Sequence, residues 1–369
     1  MQPRRIRFLF LSAFSFQGGI EQFNRALIKA TSDFDNSQKY VVEYACLYDD
    51  INIDHRYLKN GIFIPFYRQK WKYVLANISS IFRTDVLVIG HINLSLFGVI
   101  FKLFYPKKRM IVICHGIEVF HLLKGVKKKL LQLADNILAV SAYTKNKLID
   151  VHNLSASKID VFPNTLDPFF KLPISFKKPD HLLLRYGLTQ HQKIILTIAR
   201  IKYNEGYKGY DQVVRCLPKL IQNEPDIKYL IVGRYDQNEK DRILHIAKEL
   251  NVEKHILFTG FVATEELSNH YLLADLFVMP SKAEGFGIVF IEAMACGLPV
   301  IAGNKDGSTE ALQFGELGRL VDPDNLEELY TKINYELSIV HDPKEIQRKM
   351  LRHFYFPVFD QRAKQLFFN

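Results

Sequence analysis

Short runs of β-branched and aliphatic residues alternate with helix-length amphipathic stretches along the whole chain, in two successive sets. The first set of strand-like runs falls at residues 6–12, 40–46, 86–90, 110–114, 137–140 and 158–162. The second falls at 193–198, 227–232, 255–259, 276–279, 300–302 and 318–321. Strands that are apolar throughout, rather than on alternate residues, bury both faces. Interleaved with helices, they predict an α/β fold with parallel sheets covered on both sides. Between the sets lies VFPNTLDPFFKLPISFKKPD, with Pro163, Pro168, Pro173 and Pro179, where proline at that density ends regular structure. The expected organisation is a first domain over 1–175, a second over 180–352 and a last helix over 353–369. A length of 369 residues suits two cores of ordinary size.

The cysteines Cys46, Cys114, Cys216 and Cys296 form no CxxC pair, and Cys114 and Cys296 sit in apolar runs, which fits a reducing, cytoplasmic compartment. The basic and apolar start, MQPRRIRFLFLSAF, resembles a secretory signal only superficially. Arg7 interrupts the run and no small-residue cleavage site follows. Residues 86–105 approach the length of a membrane span, but His91, Asn93 and Lys102 lie within it, so a strand followed by an apolar helix is expected. Charge is unevenly spread. Residues 1–180 hold 26 Lys and Arg against 14 Asp and Glu, whereas the remainder hold 23 against 25. The first half therefore calls for an acidic partner: an anionic membrane, a phosphorylated acceptor or nucleic acid.

The sharpest local signal is Glu284-Gly285-Phe286-Gly287-Ile288, with Glu292 four residues further on, directly after a strand ending in Pro280-Ser281. The glycines permit a tight turn, and the helix start beyond them exposes backbone N–H groups to an anion or to sugar hydroxyls. A glycine-rich helix start with a capping carboxylate is the plainer reading of the same residues. A second element, Ala199-Arg200 through Lys208-Gly209, follows the first strand of the second set. Arginine as a fork and lysine as a point charge suit a diphosphate. Lys202 is a less favoured substitute, and a pair of ordinary surface cations after a strand is the plainer reading of the same residues. Gly18-Gly19 follows the first strand and precedes a helix, a place where backbone can approach a phosphate. His115-Gly-Ile-Glu118 ends another strand; a buried structural histidine and a helix-capping Glu118 are the competing assignments.

PSKAEGFGIVFIEAMACGLPVIAGNKDGSTEAL resembles the signature of retaining GT-B glycosyltransferases of family 4, whose hallmark is E-x7-E. The likeness extends in order through Gly18-Gly19, His115-Gly116, Ser141, PNTLD, Arg200 with Lys208-Gly209, the strand ending IVG, FTGFV, and AD before FVMPS. It implies two Rossmann-like domains with parallel sheets facing across a cleft, and a UDP- or GDP-linked sugar as donor substrate with no cofactor and no metal. It further implies a sugar or lipid-linked acceptor and a role in cell-surface polysaccharide or glycolipid synthesis. On this resemblance His115, Arg200, Lys208 and Glu284 are the catalytic set. The donor contacts are Gly18, Gly19, Arg200, Lys208, Phe261, Val262, Glu284, Gly285, Phe286, Gly287, Ile288 and Glu292. Phe261 and Val262 meet the base, Glu292 the ribose, Arg200 and Lys208 the diphosphate, and Glu284 the sugar. His115 lies near the transferred sugar.

Other classes fit less well. The GxGxxG fingerprint of a dehydrogenase is missing after the first strand, and no helix-turn-helix, zinc or RNP pattern points to nucleic acid. A catalytically inactive GT-B nucleotide-sugar-binding protein shares the fold but not the need for the intact charged set. Asp33-Phe-Asp35 and Asp49-Asp50 look like metal-binding fragments without the strand-end context, and no histidine spacing suits a metal. Val232-Gly233-Arg234-Tyr235 departs from the Gly-x-Gly turn common in relatives and leaves Arg234 without a role. Residues 94–109 and 120–134 suggest a peripheral contact with an anionic inner membrane face. In the second of these, Lys124, Lys127, Lys128 and Lys129 sit beside Leu122, Leu123, Leu130, Leu131 and Leu133. The same leucines are equally what a core-facing Rossmann helix carries. In YFPVFDQRAKQLFF, Pro357 suits a first helical turn, and the segment resembles the family helix that crosses back to the first domain.

Overall fold

The computed structural model describes residues 3–34 and 39–368. The chain divides into two compact units, Met1–Phe169 with Phe354–Asn369, and Phe170–His353. In the first unit the strands are β1 (Arg4–Phe10), β2 (Tyr40–Cys46), β3 (Ile62–Pro65), β4 (Val86–Ile89), β5 (Arg109–Cys114), β6 (Asn136–Ala139) and β7 (Ile159–Val161). They form one sheet in the order β3-β2-β1-β4-β5-β6-β7, with every pairing parallel. The helices α1 (Gly19–Ser32), α2 (Lys70–Ser80), α3 (Ser95–Phe104), α4 (Gly125–Leu133) and α5 (Ala142–His152) connect them.

Burial on both faces explains the continuous apolar strands: β4 is buried at all four of its residues. Arg7, in the middle of β1, is buried as well. It is satisfied by Glu43, its register partner on β2, and by two donations to Asn77 Oδ1 at 3.0 and 2.8 Å. Strand β3 escapes a sequence reading. It is short, ends in Pro65, lies at the sheet edge and is nowhere fully buried, so it carries no core signal.

The second unit repeats the scheme with β8 (Ile194–Ile198), β9 (Lys228–Val232), β10 (Ile256–Gly260), β11 (Leu276–Met279), β12 (Val300–Gly303) and β13 (Arg319–Val321). Their order is β10-β9-β8-β11-β12-β13, again parallel throughout. The helices are α6 (Asp180–Tyr186), α7 (Tyr210–Asn223), α8 (Gln237–Glu249), α9 (Thr264–Leu273), α10 (Ile288–Ala295), α11 (Ser308–Ala311), α12 (Leu326–Ser338) and α13 (Pro343–Phe354). These are two Rossmann-like α/β units. Each sheet grows in one direction and then reverses, at β1/β4 and at β8/β11. Loops leave such a switch point in opposite directions and open a crevice at the carboxyl ends of the strands.

The last helix, α14 (Phe356–Phe368), belongs to the first unit. The Phe359 ring lies 4.5 Å from Phe162 and the Phe367 ring 5.2 Å from Phe8, both tilted, and Phe368 stacks on Phe34 at 4.1 Å. The PNTLD segment fastens its start: Thr165 Oγ1 and the Leu166 N–H both donate to the Phe354 carbonyl, at 2.9 and 3.0 Å.

In α4 and the residues just before it the leucines divide. Leu130 and Leu131 are fully buried, Leu123 and Leu133 pack partly against the same core, and Leu122 is exposed. A Cβ on Gly98 of α3 would come within 2.2 Å of the Leu130 side chain, so the close α3–α4 approach needs both residues. Most of the α4 leucines are therefore core, and its lysines ride on the solvent side. Cys46, Cys114, Cys216 and Cys296 are all free and buried.

Candidate active site

In the second unit, Arg200 emerges directly after β8 and Glu284 a few residues after β11, on the two sides of the switch point. The β8 backbone continues alongside β9 beyond its last strand residue, with the Ile201 N–H donating to the Arg234 carbonyl at 2.9 Å. This places Arg200 and Arg234 side by side at the sheet end. Arg200 is exposed and pairs with Glu205 at 3.0 Å. Arg234 lies over the exposed Phe261 ring at 4.5 Å, while Val262 turns inward and is buried.

Lys208 ends a 3-10 turn, and Gly209 after it starts α7 at φ +80°. A Cβ there would come within 2.4 Å of the Pro280 carbonyl, so glycine lets the Lys208 turn press against the end of β11. The result joins the two motifs: Lys208 Nζ donates to Glu284 Oε1 in a salt bridge, with both side chains mostly buried. Burial alone pulls the Lys208 ammonium down. The Glu284 carboxylate, with Tyr207 and Glu205 behind it, outweighs burial and raises its pKa above the ordinary lysine range. Burial raises the Tyr207 phenol, although Lys208, whose Nζ stands 5.5 Å from the ring centroid, pulls it down. Lys202 is exposed and takes no part in the pair.

The Glu284–Gly287 loop is clamped from a third strand end. Asp306, after β12, accepts from the Glu284 N–H at 2.6 Å and the Ser308 N–H at 2.9 Å, and the Gly307 N–H returns to the Glu284 carbonyl at 2.9 Å. Burial pushes the Asp306 carboxyl up to about 6, although the hydrogen bonds it accepts pull the other way. Gly287 caps α10 at φ +87°, and Phe286 and Ile288 on either side are buried. Glu292, in the second turn of α10, is buried and accepts from Tyr271 Oη at 2.8 Å.

In the first unit, Gly18 caps α1 and Gly19 begins it. The preceding loop is organised by Asp49, fully buried, which accepts from Ser12 Oγ at 2.6 Å, Ala13 N–H at 2.7 Å and Ser15 N–H at 2.8 Å. Asp49 thus holds a loop, whereas Asp35 lies outside the described residues. His115, after β5, sits beside His91, after β4, with ring centroids 6.4 Å apart. His115 Nε2 meets the Gly90 carbonyl at 2.9 Å, and His91 Nδ1 accepts from the Asn93 N–H at 3.0 Å. Each contact fixes a neutral tautomer, His115 with its proton on Nε2 and His91 likewise. Burial is the main cause that lowers both to about 4; His115 adds to the shift of His91. Glu118 accepts from the His115 N–H at 2.5 Å and closes the turn, which Gly116 permits at φ +134°.

Residues 18–169 match the family model described as Glycosyltransferase Family 4, and residues 185–351 that described as Glycosyl transferases group 1. Together they account for most of the chain. The chain belongs to the GT-B glycosyltransferases of the family 4/group 1 type. A GDP-mannose-dependent alpha-(1-6)-phosphatidylinositol monomannoside mannosyltransferase of Mycolicibacterium smegmatis is 30% identical over 251 residues, 64% of this chain and 62% of that one. D-inositol 3-phosphate glycosyltransferase of the same organism is 30% identical over 223 residues, 60% of this chain and 49% of that one. The chain thus spans less than two thirds of the length of these curated relatives. The crystal structure of Anabaena HepE with UDP and glucose superposes with a TM-score of 0.78 at 20% identity, covering 98% of this chain and 99% of that one. A glycosyltransferase from Rickettsia africae gives 0.76 at 18% identity, covering 99% of both. These two establish a shared GT-B fold.

Within that family frame, the structure adds three residues that the sequence did not single out for a role: Asp49, His91 and Asp306. Asp306-Gly307 directly after a strand was the one visible cue. Among the described residues no group of three or more His, Cys, Asp or Glu could hold a metal ion, and no helix is long and apolar enough to cross a membrane.

Proposed function

We propose that the chain is a retaining, metal-independent hexosyltransferase that moves a hexose-type sugar from a UDP- or GDP-linked donor to a sugar or lipid-linked acceptor. The setting is cell-surface polysaccharide or glycolipid synthesis at the cytoplasmic face of an anionic membrane, which the first unit touches peripherally. The observation that carries this reading is the Lys208–Glu284 salt bridge at the β8/β11 switch point, where the phosphate-binding and sugar-binding motifs meet. Arg200 and Lys208 hold the diphosphate, Glu284 and the Gly285–Ile288 backbone the sugar, Glu292 the ribose, and Phe261 and Val262 the base. In the first unit, Gly18, Gly19 and His115 serve the same reaction.

The anomeric C–O bond of the donor breaks and its electron pair leaves with the diphosphate, whose growing charge the two cations stabilise. The acceptor oxygen bonds to the same carbon from the same face and passes its proton to a departing phosphate oxygen. Neutral His115, held by Gly90 and Glu118, hydrogen-bonds a sugar hydroxyl and is not the base. The test is nucleoside diphosphate release from a panel of UDP- and GDP-sugars, with and without chelator, and the anomeric configuration of the product read by NMR. Tight UDP or GDP binding without release from any donor would establish the inactive binding protein instead. An inverted product or a strict metal requirement would refute the mechanism.

A further inference from the structure

Helix α2 turns one side to the core and carries a second stripe of apolar residues. Tyr73 and Asn77, with Ile81 just beyond the helix, are buried and form the face turned to the core. Trp71, Leu75, Ile78 and Phe82 recur at spacings of four, three and four, the period of a second helical stripe. Three of the four lie outward, Trp71 82% exposed, Leu75 68% and Phe82 56%, while Ile78 is half-buried and packs partly against the core. The stripe continues onto the end of α3, where Leu103 is 75% and Phe104 57% exposed and the Phe104 ring stands 5.9 Å from Phe82. Aromatic and aliphatic side chains held open to water along one continuous ridge mark an interaction surface.

Charge identifies the occupant. Residues 68–85 and 102–109, which carry the ridge, hold eight Lys and Arg, of which Lys102 is buried against Asp135, and a single acidic residue, Asp85. Asp85 is itself engaged, 3.4 Å from Lys108 Nζ and 2.9 Å from the Arg5 N–H. A second copy would bring like charge against like charge, whereas lipid phosphates meet lysines beside an inserted apolar ridge. We propose that the α2–α3 ridge is the surface by which the first unit inserts into an anionic phospholipid bilayer, with Trp71, Leu75, Phe82, Leu103 and Phe104 entering the interface. Lys70, Lys72, Arg83 and Lys107 meet the headgroups. This rests on the membrane contact proposed above: it keeps the α3 end within residues 94–109 and replaces the lysine cluster of residues 120–134 by α2.

The chain carries one tryptophan, and it is Trp71, so the ridge reports on itself. The full chain is mixed with phosphatidylglycerol vesicles or with phosphatidylcholine vesicles, without donor or acceptor. Binding is read by sedimentation, and insertion by the emission maximum of Trp71. Expected are co-sedimentation with the anionic vesicles only, weakening with salt, and a blue shift of the emission in the bound state. Leu103→Ser with Phe104→Ser should weaken binding on the order of tenfold, and Lys128→Ala with Lys129→Ala should weaken it less. Binding without a blue shift would leave the membrane contact standing and overturn this face. No preference for anionic vesicles would overturn both, leaving the transfer reaction untouched. A concentration-dependent dimer that buries Trp71 without vesicles would replace the bilayer with a second copy.

Discussion

Lys208 of the β8–α7 connection donates to the Glu284 carboxylate of the β11–α10 loop, so each motif supplies the other's counter-ion. Separating two mostly buried opposite charges costs more than separating exposed ones. A diphosphate that takes over Lys208 must therefore leave Glu284 a new partner, and sugar hydroxyls are donors of the right kind. Donor binding and the rearrangement of this pair are then one event. Arg200→Ala and Lys208→Ala are each expected to slow transfer on the order of a hundredfold, as loss of a leaving-group contact does. Initial rates at saturating donor decide this, and wild-type rates in either variant would remove that cation from the reaction.

Tyr271 donates to Glu292, so the carboxylate assigned to the ribose is held in place by a buried phenol. Tyr271→Phe removes one hydrogen bond worth about 1 kcal/mol. The expected outcome is a donor KM raised severalfold with kcat near wild type, and Glu292→Ala should raise it further. A fall in kcat at unchanged KM would show that Glu292 acts on the transition state.

His91 and His115 make stability depend on pH in a defined direction. Burial depresses both folded-state values to about 4, below the ordinary 6.5 of the unfolded chain. The unfolded chain therefore binds more protons between those values. Their contribution is present above pH 6.5 and is lost as pH falls towards 4, at up to about 1.4 kcal/mol per pH unit for each ring. Asp306, raised to about 6, works in the opposite sense: its contribution is full below the ordinary 3.8 and is lost as pH rises through 6. Urea unfolding of wild type and of His91→Gln across pH 4 to 7 isolates the imidazole part. The variant should show the shallower loss on acidification, and equal slopes would mean that His91 titrates normally.

What was legible in the sequence follows from how locally each feature is specified. The parallel sheets could be read because β4, β5, β8 and β11 are apolar at consecutive residues, and Glu284 through Glu292 because turn and helix lie within one short stretch. Asp49 and Asp306 were not, because each acts on groups far away in sequence, Asp49 on the Ser12 hydroxyl and the N–H groups of Ala13 to Ser15, Asp306 on the Glu284 N–H. No pattern in the chain records that meeting. The α4 leucines were open to two readings because core-facing and membrane-facing helices share one periodicity; burial of Leu130 and Leu131 separates them. The ridge on α2 was missed for the complementary reason. Its buried stripe includes Asn77 and its exposed one Trp71, Leu75 and Phe82, so polarity did not announce which side met water.

Gly18 and Gly287 are expected to separate a glycine needed by the proposed donor from one needed by the fold. Gly287 stands at φ +87°, and a Cβ there would come within 2.4 Å of the Phe290 ring. Gly287→Ala must strain the backbone or move a buried ring, at a cost of about 1–3 kcal/mol. Gly18 is different: its φ of 176° is extended backbone open to any residue. A Cβ would meet only the flexible Glu21 carboxylate tip, at 2.7 Å. The backbone at 18 does not demand glycine, which fits the close approach of a donor phosphate proposed above. Gly18→Ala is therefore expected to keep the wild-type melting temperature while transfer falls at least tenfold, the loss expected where a methyl group displaces a phosphate. Gly287→Ala should lose both. Thermal denaturation and donor turnover, measured on the same two preparations, distinguish the cases. A Gly18→Ala chain of normal stability and normal rate would take the Gly18-Gly19 turn out of the donor site.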